Sequence, residues 1–137
     1  MGVFASLTYQ DVEAALTFLE KAFGFSRAET GRDANGSLSH AVMSFGDGMV
    51  LVQPDSPDEL HGTHLGHGWV YIDVEDIDAH YSRAEAAGAT MLGAPHDAPD
   101  AGIRGYSCRD PEGNLWSFGT TLKLDFIHRL DKKRKAE

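Results

Sequence analysis

The chain has 137 residues with one cysteine, and 21 acidic against 12 basic side chains give a formal charge of −9. That balance argues against a nucleic-acid backbone as partner, and no apolar run has the length needed to span a bilayer. At this size about two-thirds of the unfolded surface is buried on folding, so a core forms without metal or disulfide staples. Cys108 has no intramolecular partner and no charged-then-apolar leader precedes the first strand, which makes a reducing, cytoplasmic setting the expectation.

Phe4–Tyr9 reads as a first strand, and that role outweighs the bare myristoylation pattern in Met1-Gly2-Val3-Phe4-Ala5-Ser6. Asp11 is placed to cap a helix in which Val12, Ala15, Leu16, Leu19, Ala22 and Phe23 recur at three- and four-residue spacing; Gly24 ends it. Phe25–Thr30 is a second strand, 33–36 a turn, and Ser37–Phe45 a third strand. Gly46-Asp47-Gly48 turns this strand back into Met49–Val52. A linker over 54–68, rich in Pro, Asp, Gly and His, has no apolar periodicity.

Val70–Val74 opens a second series, followed by a helix over Ile77–Ala87 that Asp76 caps and Gly88 closes. Met91 and Leu92 start a strand, and 93–102 (GAPHDAPDAG) reads as a loop able to fold over a cleft. Tyr106–Arg109, the turn Asp110-Pro111-Glu112-Gly113 and Leu115–Phe118 form a hairpin, since Pro presets one corner and Gly tolerates positive φ. After 121 the pattern fades into a tail in which Leu122, Phe126, Ile127 and Leu130 suit a short docked helix and Lys132–Lys135 a solvated end.

These elements repeat. Gly48 plus 65 is Gly113, and Asp11 plus 65 is Asp76. The unit is strand, helix and three strands, spanning about 4–53 and again 69–120, within one domain over 1–137. The fold class is therefore α+β.

With this repeat, the segment Arg104-Gly105-Tyr106-Ser107 and Arg109-Asp110-Pro111-Glu112-Gly113-Asn114-Leu115-Trp116-Ser117-Phe118-Gly119 resembles the vicinal oxygen chelate superfamily, in its bleomycin-resistance-like branch. The resemblance implies two βαβββ units forming a curled mixed sheet around a cleft, with a homodimer completing the site. It also implies a choice among metal-dependent isomerases, lyases and dioxygenases, fosfomycin-inactivating transferases, and metal-free proteins that sequester a drug. Fold alone does not choose among them.

The family's metal ligands come from the first and last strands of each unit. Counting from the capping aspartates and turn glycines puts those positions at Phe4, Val52, Trp69 and Ser117. None supplies an imidazole or carboxylate, so no metal and no other cofactor is expected at this site. Strand alternation extends the cleft-facing set to Tyr71 and Asp73, with Arg104 and Tyr106 near the mouth, while Trp116 and Phe118 face the helices. Phe4, Trp69 and Tyr71 are ligand-stacking candidates, or else they fill the cleft as core. Asp73 suits a cationic group.

His61, His64 and His67 state the opposing case, an imidazole cluster for zinc or nickel in a glycine-rich linker. His40 and His96 are isolated, and Cys108 lies in a strand as a small hydrophobe. The expectation is a metal-free binder of a small aromatic or cationic molecule. A glyoxalase-like lyase, isomerase or dioxygenase with an atypical metal set, and a non-catalytic dimeric interaction module, stay open beside it.

Overall fold

Short-range signals set the elements of the first unit in the computed structural model, which describes residues 2–57, 62–98, 100 and 102–121. β1 (Ala5–Tyr9) leads to Asp11, whose carboxylate accepts from the Ala14 amide 3.0 Å away and caps α1 (Val12–Phe18). The helix predicted over Val12–Phe23 has this extent, but Leu19–Phe23 is a widened π turn that ends at Gly24, φ 85°. Its loosened carbonyls find donors in the other unit. Arg83 donates to the Glu20 and Lys21 carbonyls at 2.9 and 2.8 Å, and His80 Nε2 lies 3.1 Å from that of Phe23. Two side chains of α2 (Ile77–Ala86) thus cap the first unit's helix.

β2 (Ser26–Arg32), β3 (Leu38–Phe45) and β4 (Gly48–Pro54) complete a mixed sheet in the order β1-β4-β3-β2, with β1 parallel to β4. The second unit repeats it. β5 (Trp69–Asp73) pairs in parallel with β9 (Leu115–Thr121), and the order β5-β9-β8-β6 takes in β8 (Ile103–Arg109) and β6 (Thr90–Met91). The stretch expected as a loop over 93–102 contains a further strand, β7 (His96–Ala98), which pairs with β8. Two prolines, two glycines and three alanines hid it, because β7 is too short to show alternation. The tail helix expected after 121 and His61 fall outside the described residues.

The helices cover one face of both sheets, and one core serves both units. Leu16, Leu19, Phe23, Met43 and Val52 of the first unit are fully buried with Cys108, Trp116 and Phe118 of the second. The Phe23 ring lies 5.0 Å from that of Trp116 and 4.8 Å from that of Phe118. Burying such a phenylalanine stabilises the fold by about 2–3 kcal/mol.

The turns of the two hairpins differ by one residue. Phe45 pairs with Gly48 across two residues, whereas the Asp110 amide bonds to the Asn114 carbonyl at 3.0 Å across three. Met43 pairs with Val50 and Cys108 with Trp116, so β3 maps onto β8 at an offset of 65 while β4 maps onto β9 at 66. The constant offset expected from Gly48 and Gly113 therefore fails beyond the turn.

Candidate functional site

That extra residue decides which side chains reach the open face, the sheet surface turned away from the helices. Val52, placed there by a uniform offset, is 0% exposed and packs toward the helices between Leu7 and Ala41. Leu51 stands where Ser117 stands in the other unit, because a shift of one residue reverses a strand's facing. Arg104 and Tyr106, expected near the mouth, alternate with Ser107 along β8 and so turn toward the helices, although Tyr106 also borders the cavity that Trp69 and Tyr71 line. Tyr106 is buried on the helix side, its hydroxyl 2.6 Å from His80 Nδ1. Arg104 grips Asp78 of α2 at 2.9 Å and Asp97 of β7 at 3.1 Å. These carboxylates raise the guanidinium's pKa, and Arg104 in turn lowers that of Asp78.

Trp69, Tyr71 and Asp73 do share the open face of β5, at positions i, i+2 and i+4. Trp69 is 72% exposed and Tyr71 51%, while Phe4, just ahead of β1, is 49% exposed on the first sheet. Trp69 and Tyr71 line a cavity of about 270 Å³ together with Ser117, Ser107, His96 and Ile103. The Trp69 indole N–H donates to Ser117 Oγ at 3.0 Å, and the Ser117 and Ser107 hydroxyls are 2.8 Å apart. Tyr71 crosses to β9 over Gly119, where a Cβ would collide with the tyrosine hydroxyl. On the far side of Tyr71 a second cavity of about 520 Å³ holds Asp73, Asp47, Val3, Phe45 and Met49. Burial and the Asp73 charge raise the Tyr71 pKa, so the phenol keeps its proton at neutral pH.

Ser107 and His96 line the cavity although neither is among the residues expected there from the sequence. The signal for Ser107 lay in the hairpin: once Arg109 and Leu115 close the turn, Ser107 sits opposite Ser117. Nothing local marked His96, which enters the cavity only because β7 joins β8. Cys108 is a core residue, its thiol pushed up to about 12 by burial and by Asp110, and it remains protonated at neutral pH.

The conspicuous turn plays a different part. Asp110 is buried and its carboxylate accepts from Tyr9 Oη at 2.6 Å, Trp116 Nε1 at 3.0 Å, and the Glu112 and Asn114 amides at 3.0 Å each. Burial, with Asp110 beside it, drives the Tyr9 pKa upward. Glu112 meanwhile accepts from the Gln10 and Asp11 amides at 2.7 and 3.0 Å. The motif that carries the resemblance fastens the second unit's hairpin to the first unit's β1–α1 junction.

The donor set does not fit the superfamily's metal. With the register corrected, the four positions are Phe4, Leu51, Trp69 and Ser117, which offer neither imidazole nor carboxylate. Among the described residues no group of three or more His, Cys, Asp and Glu side chains could hold a metal ion. No helix among them is long and apolar enough to cross a membrane.

Two paired βαβββ units with mixed sheets and an open face define the class. Residues 3–118 match the model of the Glyoxalase/Bleomycin resistance protein/Dioxygenase superfamily, and the chain belongs to that family. It is 32% identical over 126 residues to the uncharacterized protein Mb0911c of Mycobacterium bovis, covering 85% of this chain and 81% of the relative. TioX from Micromonospora sp. ML1 superposes with a TM-score of 0.75 at 33% identity, covering 88% of this chain and 99% of that one. TnmS3, described as an antibiotic binding protein from Streptomyces sp. CB03234, gives 0.69 at 18% identity, covering 88% and 97%, a likeness of fold.

Proposed function

We propose that this protein binds a small, planar molecule on the open face of its second sheet, without a metal ion and without converting the ligand. The observation that carries this is the exposure of Trp69 beside Tyr71 above a cavity. Large aromatics left bare on a sheet face lose the burial that normally stabilises them, and a stacked ligand supplies it. The unsuitability of Phe4, Leu51, Trp69 and Ser117 as metal ligands supports a binding role, because the family's chemistry depends on a Lewis acid. The antibiotic-binding description of TnmS3 agrees with it. Asp73 and Asp47 in the neighbouring cavity favour a ligand with a cationic arm, in keeping with the charge of −9.

A homodimer and a cytoplasmic setting belong to the same proposal. The experiment is a fluorescence titration of EDTA-treated protein. Trp116 is fully buried, so quenching by an added planar aromatic reports on Trp69. Saturable quenching in wild type, with calorimetric affinity weakened in Trp69→Ala, supports the reading, whereas binding that requires added Zn²⁺ or Ni²⁺ overturns it.

A further inference from the structure

The hydrogen bonds around Ser117 leave one donor over. Trp69 Nε1, Ser107 Oγ and Ser117 Oγ bring three hydrogens, one from each. The indole hydrogen goes to Ser117, and one hydroxyl hydrogen closes the 2.8 Å contact between the serines. Whichever serine donates in that contact, the other hydroxyl keeps a hydrogen, and among the described residues it has no protein acceptor. If Ser117 donates, the spare hydrogen belongs to Ser107; if Ser107 donates, to Ser117. Both hydroxyls line the 270 Å³ cavity and both are half-buried, so the spare donor lies at its floor.

The surroundings do not supply the missing acceptor. Gly105 leaves the floor without a side chain next to Ser107, and Ile103 and Ala98 are apolar. Tyr71 stands beside Ser117 on the neighbouring strand and brings a hydroxyl of its own that has no protein partner among the described residues. His96 sits at the exposed rim, with Nδ1 turned 3.3 Å from the Ala94 carbonyl. The cavity therefore has Trp69 and Tyr71 along the β5 side, a half-buried neutral donor beside them and, among the described residues, no cation fixed next to that donor.

From this we infer that the Ser107–Ser117 pair is a specificity device, selecting a planar ring system that carries an uncharged oxygen acceptor, such as an aryl ketone, at its inner edge. The inference rests on the binding role proposed above and adds the chemistry of the ligand's buried end. The indole N–H donated to Ser117 polarises the pair and strengthens its outgoing donor. A carboxylate would fit less well, since the charged side chains that share a cavity with Tyr71 among the described residues include the carboxylates of Asp73 and Asp47. A ring without an acceptor would stack equally well but leave the donor dry. The volume suits a two- or three-ring system.

A matched pair of probes, 9-fluorenone and fluorene, isolates this contribution, because both are flat tricycles that differ by a carbonyl against a methylene. Each is titrated into wild type, Ser107→Ala/Ser117→Ala and Ser117→Thr, with Trp69 fluorescence and calorimetry as readouts. Wild type is expected to prefer fluorenone by roughly three- to tenfold, the size of one net hydrogen bond. The double variant is expected to lose that preference, read as the ratio of fluorenone to fluorene affinity, whatever the change in either affinity alone. Ser117→Thr, which keeps a hydroxyl, is expected to retain it, and this separates a specificity role from damaged packing. Equal binding of both probes to wild type would overturn the acceptor inference and leave aromatic binding standing. Failure of both probes to bind wild type would overturn both.

Discussion

In the first unit Val42 and Leu51 occupy the paired positions that Ser107 and Ser117 occupy in the second. Ser6 holds the place of Tyr71, and Gln53 stands where Gly119 admits the tyrosine ring, its amide donating to Ser6 at 2.8 Å. One open face thus has polar groups that satisfy each other between aliphatic neighbours, and the other combines exposed aromatics with an unspent donor. The turns diverge as well: Gly46-Asp47 is exposed, whereas Asp110–Asn114 is anchored to the partner unit. The same backbone plan, carried twice, has been divided between a scaffold half and a binding half.

The largest test of that division is at the turns. Asp110→Ala removes the acceptor of four hydrogen bonds, two of them from buried Tyr9 and Trp116, and is expected to cost about 3–5 kcal/mol of stability in urea denaturation. Asp47→Ala, at the exposed turn, is expected to stay within about 0.5 kcal/mol. Equal losses would show that the hairpins carry equal structural weight.

A smaller effect is expected on binding. Trp69→Ala should weaken a planar ligand by about 30-fold, as for a central anchor, and Phe4→Ala by no more than about threefold. If Phe4 mattered as much, the ligand would span both sheets. Gly119→Ala sharpens the contrast further, because the new methyl displaces Tyr71 from its seat and is expected to weaken binding by about fivefold, with the melting temperature little changed. Calorimetry and a melting curve measure both terms.

The smallest effect concerns the joint between the units. Burial holds the His80 pKa below the ordinary histidine range; the Phe23 carbonyl opposes this and Arg83 adds to it. The unfolded chain then binds more protons than the folded one as pH falls through about 6.5, so stability present above that value declines toward pH 5. The Tyr106 phenol at Nδ1, the Arg83 guanidinium and the Asp73, Glu75 and Asp76 carboxylates lining the same groove set the local field. His80→Gln is expected to flatten the pH dependence of the urea midpoint between pH 5 and 7, and an unchanged slope would assign that dependence to other histidines.

Much of this architecture was written locally. Asp11 and Asp76 cap their helices because each carboxylate reaches an amide three residues on, and Gly24 and Gly88 stop them in the left-handed region, at φ 85° and 95°. Alternation placed Trp69 and Tyr71 on one face and Trp116 and Phe118 on the other, since a strand's facing has a period of two. What the sequence could not fix was register across a turn. The turn after Phe45 is one residue shorter than that between Asp110 and Asn114, so Val52 falls on the core side, and alternation with Ser107 turns Arg104 and Tyr106 toward the helices.

Interactions over long separations were likewise undecided until the chain had folded. Tyr9 meets Asp110 across 101 residues and His80 meets Phe23 across 57, contacts that no spacing rule encodes. The sequence by itself determined the two units, their caps and the aromatic stripe of β5, because those depend on neighbours a few residues away. Only the tertiary structure decided which hydroxyls meet at Ser107 and Ser117, because pairing register and the docking of β7 arise from packing between segments far apart in the chain.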